Sequence, residues 1–198
     1  MYMTLVNNLL RFVYYPIHTI VRLLNKSKFG RFGSGSYLKS PLRIDSPENI
    51  YIGNDVSVGY KTWLAAVPLT GGKSKLIIED GSILGNFNHI YATRSIIIHK
   101  RVLTADKVYI SDNLHGYDDV KIPIMDQPIV QKKIVEIGEG TWIGENVCII
   151  GATVGNHCVI GANSVVTKDI PDFSVAVGSP AKVIKKYDFL LNKWIKVE

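Results

Sequence analysis

Five histidines and two cysteines are the side chains of this sequence best suited to chemistry near neutral pH. Imidazole titrates close to pH 7, so a neutral histidine can take the proton of a hydroxyl or amine as that group attacks a carbonyl carbon. Three histidines with a close pair among them could instead hold zinc and leave a fourth position open. His89, His99 and His115 lack such a pair, and no carboxylate-rich loop accompanies them, so no metal site is expected. Cys148 and Cys158 have no CxxC spacing and read as two small buried hydrophobes. His18 belongs to an amphipathic N-terminal segment, and His99 and His157 follow aliphatic positions and are expected at solvent-facing corners or faces. His89 and His115 are harder to dismiss, although a lone loop histidine is ordinarily a solvated surface residue.

The elements that would position them come from an internal repeat. From Ile137 the chain reads Ile137-Gly138, Ile143-Gly144, Ile149-Ile150, Val154-Gly155, Ile160-Gly161, an aliphatic residue recurring about every six positions. The same rhythm runs upstream through Ile52-Gly53, Val58-Gly59 and Leu64, then Ile78, Leu84-Gly85 and Ile90, then Ile98, Thr104 and Ile110. A helix would repeat at 3.6 residues; six residues make one short strand and a turn, and three hexads make one coil of a parallel β-helix. Equivalent residues of successive coils then stack about 4.8 Å apart into one continuous core. The regular coils extend over about residues 50–186, and one hexad is short, since Ile143 to Val154 spans eleven residues instead of twelve. Two excursions interrupt them, near residues 68–75 and 112–133, and a scaffold's excursions are where function concentrates. His115 stands at the start of the second.

The run from Thr141 to Val147, continued by Val159 to Pro171 and by Val177 to Lys185, resembles the hexapeptide-repeat acyltransferases, particularly the sugar O-acetyltransferases that act on maltose and galactosides. The resemblance implies an all-β solenoid, a left-handed parallel β-helix, whose hand the six-residue period does not fix. It also implies a homotrimer with acetyl-coenzyme A, the acyl donor, bound in clefts between neighbouring helices. In that family a histidine at the start of the long loop is the general base, and His115 occupies that place. Gly85-Asn86-Phe87-Asn88 resembles the Asn-aromatic-Asn stretch whose first asparagine contacts the acceptor, which assigns acceptor binding to Asn86, with a corner asparagine as the alternative. His89 follows and is a second acceptor-site candidate, with packing as its alternative. Asn86 and His115 are expected near one loop-bearing region of adjacent coils. Trp142, Ala162, Thr167 and Lys168 match the cofactor cleft, and Lys182 and Lys185 match basic positions near the coenzyme's phosphates. Lysine stands there where arginine is common, which replaces a bidentate fork with a point charge; a solvated basic tail is the alternative. The implied reaction is direct acetyl transfer to a sugar hydroxyl of a carbohydrate acceptor, a chemistry suited to surface polysaccharide synthesis. N-acetylation of an aminosugar nucleotide or an antibiotic amine is the alternative enzyme. A γ-class carbonic anhydrase on the same fold lacks its histidine pair here, and a non-catalytic scaffold is the reading from a different class.

Composition bounds the partners. The 198 residues carry 23 Lys plus Arg against 17 Asp plus Glu, a formal charge of +6, which favours anionic ligands or surfaces. No aromatic-basic recognition motif accompanies that charge, so nucleic acid is not expected. Residues 1–30 read as a helical arm of two short amphipathic helices kinked at Pro16, residues 31–186 as the β-helix domain and residues 187–198 as a C-terminal cap. The arm lacks a small-residue cleavage site, so a cytoplasmic location is expected, with the arm either peripheral at the inner face of the membrane or packed on the trimer.

Overall fold

An aliphatic side chain at every sixth position gives each of three short strands per turn one inward residue. The computed structural model, which describes residues 26–197, has that arrangement. The chain visits three parallel sheets in rotation. The first stacks Arg31–Phe32, Ile50–Ile52, Lys75–Ile78, Ser95–Ile98 and Val135–Ile137; the second begins with Tyr37–Leu38, Ser57–Val58, Ile83–Leu84, Leu103–Thr104, Trp142–Ile143 and Val159–Ile160; the third stacks Arg43–Asp45, Trp63–Ala66, His89–Ala92, Tyr109–Ser111, Cys148–Ile150 and Val165–Val166. Of the helical arm expected over residues 1–30, residues 1–25 lie outside the described residues. Among the described residues no helix is long and apolar enough to cross a membrane.

Strand register builds the core directly from the repeat. Ile52, Ile78, Ile98 and Ile137 stack in the first sheet; Val58, Leu84, Thr104, Ile143, Ile160 and Ala176 in the second; Leu64, Ile90, Ile110, Ile149 and Val166 in the third. All are buried, and each large aliphatic contributes about 1.5–3 kcal/mol by leaving water. The coils begin earlier than the repeat starting near residue 50 suggests. Phe32, Leu38 and Ile44, themselves six apart, pack against this core as a first coil.

The three corners are not equivalent. At the first-to-second corner Asp55, Arg101, His157 and Phe173 take positive φ, as do Lys61, Phe87, Lys107, Asn146 and Asn163 at the second-to-third corner. Side chains lock these corners to the next coil: Asp80 Oδ1 accepts the Asn54 N–H and Asp106 Oδ1 accepts the Asn86 N–H, each at 2.7 Å. At Gly85 an added Cβ would lie 2.4 Å from the Ala105 carbonyl oxygen, so close approach of the coils demands glycine there. The third-to-first corner is where the chain leaves the coil. Both long excursions depart from it, and Thr70 Oγ1 donates to Gln131 Oε1 at 2.6 Å to join them.

Beyond Ser174–Gly178, which extends the second sheet in parallel, the chain reverses. Ala181–Asp188 pairs antiparallel with it and Lys193–Lys196 pairs antiparallel in turn. The terminal hairpin therefore begins six residues before the cap expected at residue 187.

Candidate active site

The second excursion opens as a short antiparallel hairpin, Asn113–His115 paired with Ile129–Gln131, His115 standing opposite Ile129. Its root is fixed by Asp112, which is fully buried. Asp112 Oδ1 accepts the Thr93 N–H at 2.8 Å, the Thr93 hydroxyl at 3.0 Å and Asn113 Nδ2 at 3.1 Å, while Oδ2 accepts the Arg94 and Ser95 N–H groups at 2.8 Å. The Asp112 carbonyl accepts the Lys132 N–H and Gln131 Nε2, each at 2.8 Å, closing the other side. Burial pushes the Asp112 carboxyl up, but the bonds from Thr93, Asn113, Arg94 and Ser95 outweigh it and hold the group below the usual carboxylate range. His115 is exposed, so a rigidly rooted hairpin presents an imidazole to solvent.

His89 sits differently, on the outer face of the third sheet in a transverse row with Arg43, Trp63, Tyr109 and Cys148. Its ring stacks on Trp63 at 4.1 Å between centroids and 7° between planes, with Tyr109 and Tyr91 edge-on at 5.2 and 5.9 Å. Trp63 is held in turn, donating from Nε1 to Asp45 Oδ2 at 2.7 Å beneath the Arg43 guanidinium. His89 Nε2 is buried and no described protein atom hydrogen-bonds to it. Burial lowers the imidazole pKa, which favours the neutral ring. The aromatic cluster went unrecognised in the sequence. Its signal is that Trp63, His89 and Tyr109 each precede an inward aliphatic of the third hexad.

Asn86 lies at the second-to-third corner, at the opposite end of the third sheet from the corner that carries the His115 hairpin, so one chain does not bring the two into adjacent loops as expected. Its side chain is engaged in the corner ladder: Nδ2 donates to Asp106 Oδ1 and Oδ2 at 3.2 and 3.1 Å, and Oδ1 accepts the Tyr60 N–H at 2.8 Å. Asn88 turns inward, donating to Thr104 Oγ1 at 2.6 Å and accepting the Val108 N–H at 2.8 Å, which satisfies the one polar residue in that core row.

The candidate cofactor residues divide in the same way. Trp142, Val159, Val175 and Lys185 form one transverse row on the outer face of the second sheet, and Lys182, opposite Val177, lies toward its second-to-third end. Ala162 sits at that second-to-third corner, along the same edge as Asn86. Thr167 and Lys168 instead follow the last strand of the third sheet, on the edge that carries His115. All six are exposed. Their neighbour Asp169 anchors the far end of the excursion, accepting from Lys133 Nζ at 2.8 Å and from the Thr153 N–H at 3.0 Å. The short hexad turns at Gly151, whose φ is +56°.

Residues 134–168 match the model of the hexapeptide repeat of succinyl-transferase. Over 157 residues the chain is 35% identical to WbbJ of Escherichia coli, named for O-acetyl transfer in lipopolysaccharide biosynthesis, with 74% of this chain and 80% of that one covered. The chain belongs to the hexapeptide-repeat acetyltransferases. Within this family it is also 43% identical over 135 residues to Rv3034c of Mycobacterium tuberculosis, named as an acetyltransferase; the match covers 68% of this chain and 43% of that protein, less than half its length. Among solved structures, AntD, an N-acyltransferase from Bacillus cereus in complex with dTDP and 3-hydroxybutyryl-CoA, shares the fold with a TM-score of 0.70 at 19% identity over 85% of this chain and 88% of that one.

Proposed function

We propose that this hexapeptide-repeat protein is an acetyl-coenzyme A-dependent O-acetyltransferase of a sugar hydroxyl, working as a homotrimer of left-handed coils with His115 as general base. The observation that carries the reading is the exposed His115 on a hairpin rooted by the five hydrogen bonds of buried Asp112. The imidazole takes the proton of the acceptor hydroxyl as its oxygen attacks the thioester carbonyl. The carbon–sulfur bond then breaks, and the imidazolium returns the proton to the departing thiolate, leaving an acetyl ester and free coenzyme A. Backbone amides of the cleft stabilise the tetrahedral oxyanion. No acyl-enzyme is needed: Cys158 is buried, with a thiol that burial pushes up, and Cys148 lies in the row beside Tyr109.

The two separated groups of candidate residues support the trimer. One edge of the coil carries Asn86 and Ala162 with Lys182 near it and Trp142 and Lys185 on the adjoining face of the second sheet; another edge carries His115, Thr167 and Lys168. A cleft between neighbouring subunits joins the first edge of one chain to the second edge of the next, completing a site that neither chain holds alone. The long excursion exposes Val120 at 95% and Met125 at 84%, apolar surface that a neighbouring subunit would cover.

The test is release of free thiol from acetyl-coenzyme A with a panel of sugar and aminosugar acceptors. His115→Ala is expected to abolish turnover without changing oligomeric state, and unchanged turnover overturns its role. Acetylation confined to amines would replace O-transfer with N-transfer. Subunits of His115→Ala and Asn86→Ala, unfolded and reassembled together, regain activity in mixed trimers if the site is shared; no recovery, with mixed trimers formed, rejects sharing.

A further inference from the structure

The terminal hairpin carries features that acetyl transfer does not use. Its strands Ala181–Asp188 and Lys193–Lys196 pair Lys185 with Lys196, Lys186 with Ile195, Tyr187 with Trp194 and Asp188 with Lys193. Besides Lys182 and Lys185, assigned to the coenzyme cleft, the hairpin carries Lys186, Lys193 and Lys196 against a single carboxylate, Asp188. None of these three is in a salt bridge among the described residues. The turn between the strands is apolar and outward: Phe189 is 62% exposed, Leu190 94% and Leu191 58%.

That tip has a fixed shape. Asp188 Oδ1 accepts the N–H groups of both Leu190 and Leu191 at 2.9 Å, so the acid is occupied in holding the turn. Beneath it Phe189 packs edge-on against Phe173 and Tyr187 at 4.9 and 5.1 Å, and Tyr187 against Trp194 at 5.4 Å. Rigid aromatic packing therefore pushes two leucines into solvent with cationic strands behind them. The tip lies at the first-to-second corner, beside Phe173, whereas the His115 hairpin leaves from the third-to-first corner.

We infer that this hairpin is a docking device for an anionic lipid bilayer, its Phe189-Leu190-Leu191 tip entering the headgroup boundary and Lys186, Lys193 and Lys196 meeting lipid phosphates. Apolar insertion backed by basic residues is the chemistry that binds proteins peripherally to such surfaces. Charge favours lipid over a second copy of the same hairpin, because self-pairing would bring two lysine-rich segments together. The inference is independent of the acetyl-transfer reading and uses a segment distinct from the N-terminal arm.

The test is co-sedimentation of the full chain with phosphatidylcholine vesicles, with and without phosphatidylglycerol. Binding is expected only with phosphatidylglycerol and should fall as salt is raised. The double variant L190S/L191S should bind at least about tenfold more weakly, as expected for loss of two leucines from an apolar insertion, with an unchanged melting temperature. K193A/K196A, which leaves the tip intact, should weaken binding by a similar factor and reduce its salt dependence. Undiminished binding by both variants overturns the proposal and assigns the affinity to another segment. So do equal binding to both vesicle types and a smaller oligomer for L190S/L191S than for the parent by light scattering, the latter marking the tip as a contact between copies.

Discussion

One carboxylate oxygen of Asp112 accepts both the N–H of Thr93, at 2.8 Å, and its hydroxyl, at 3.0 Å, across the third-to-first corner of two successive coils. Through this contact the short, regular corner at Thr93 becomes the fixed point from which the longer excursion swings out. The position of His115 is thus set three residues earlier in the chain.

Asp112→Ala removes five hydrogen bonds and leaves the N–H groups of buried Thr93 and of Arg94 and Ser95 without their acceptor. Because bonds to a charged acceptor are each worth about 1.5–3 kcal/mol and not all are lost independently, the expected destabilisation is about 2–4 kcal/mol. Turnover should fall with it. Hydrogen exchange separates the effects: amides of residues 113–131 should lose protection more than those of the core strands.

Stability should respond to pH at both ends. Asp112 has a folded pKa below its unfolded value of about 3.9, so its contribution is present above that value and is lost as pH falls through the folded pKa. His99 is raised: burial opposes the charge, but Glu136 at 3.1 Å and Glu79 at 3.3 Å outweigh it. Its contribution is therefore present below about pH 6.5 and is lost as pH rises through the folded pKa. Urea midpoints measured across pH should lose the alkaline decline in His99→Gln and the acid decline in Asp112→Asn.

His89→Phe keeps the stack on Trp63 and removes a buried nitrogen that no described protein atom bonds. The melting temperature should stay the same or rise, since replacing an unsatisfied polar group by an apolar one of similar shape is neutral or favourable. Acceptor KM then decides its role: a KM that rises in a fully folded variant places His89 in acceptor binding, and an unchanged one makes it a packing residue.

Gly151→Ala should cost about 1–3 kcal/mol, because the site needs φ of +56° and an added Cβ would fall 2.5 Å from Lys132 Cβ. Thermal unfolding measures the loss, which also loosens the closing end of the excursion.

The coils were legible because their cause is periodic: inward Ile52, Ile78, Ile98 and Ile137 recur in phase and stack in register. Phe32, Leu38 and Ile44 obey the same spacing but are more varied in type, and so the first coil was harder to see. Asn86 and Asn88 illustrate what spacing does not carry. They differ by two positions and by direction, one outward to Asp106 and one inward to Thr104, and that depends on the corner between them, where Phe87 takes a φ of +56°. The importance of Asp112 was hidden for a related reason, since its partners Thr93, Arg94 and Ser95 lie 17 to 19 residues back, one coil away. The division of the candidate site between two edges follows from the rotation of the chain around three sheets, which a linear list of residues does not display.

The inequality of the three corners has a consequence for how such a chain can change over evolutionary time. Two corners are stitched to their neighbours in every coil, so an added residue there would throw whole columns of the core out of alignment. The third is a seam at which material has been let in twice, 26 and 39 residues separating equivalent strands that elsewhere lie 16 to 20 apart, without disturbing the stacking on either side. New specificity can be acquired by lengthening the chain at that seam, leaving the scaffold's inheritance untouched.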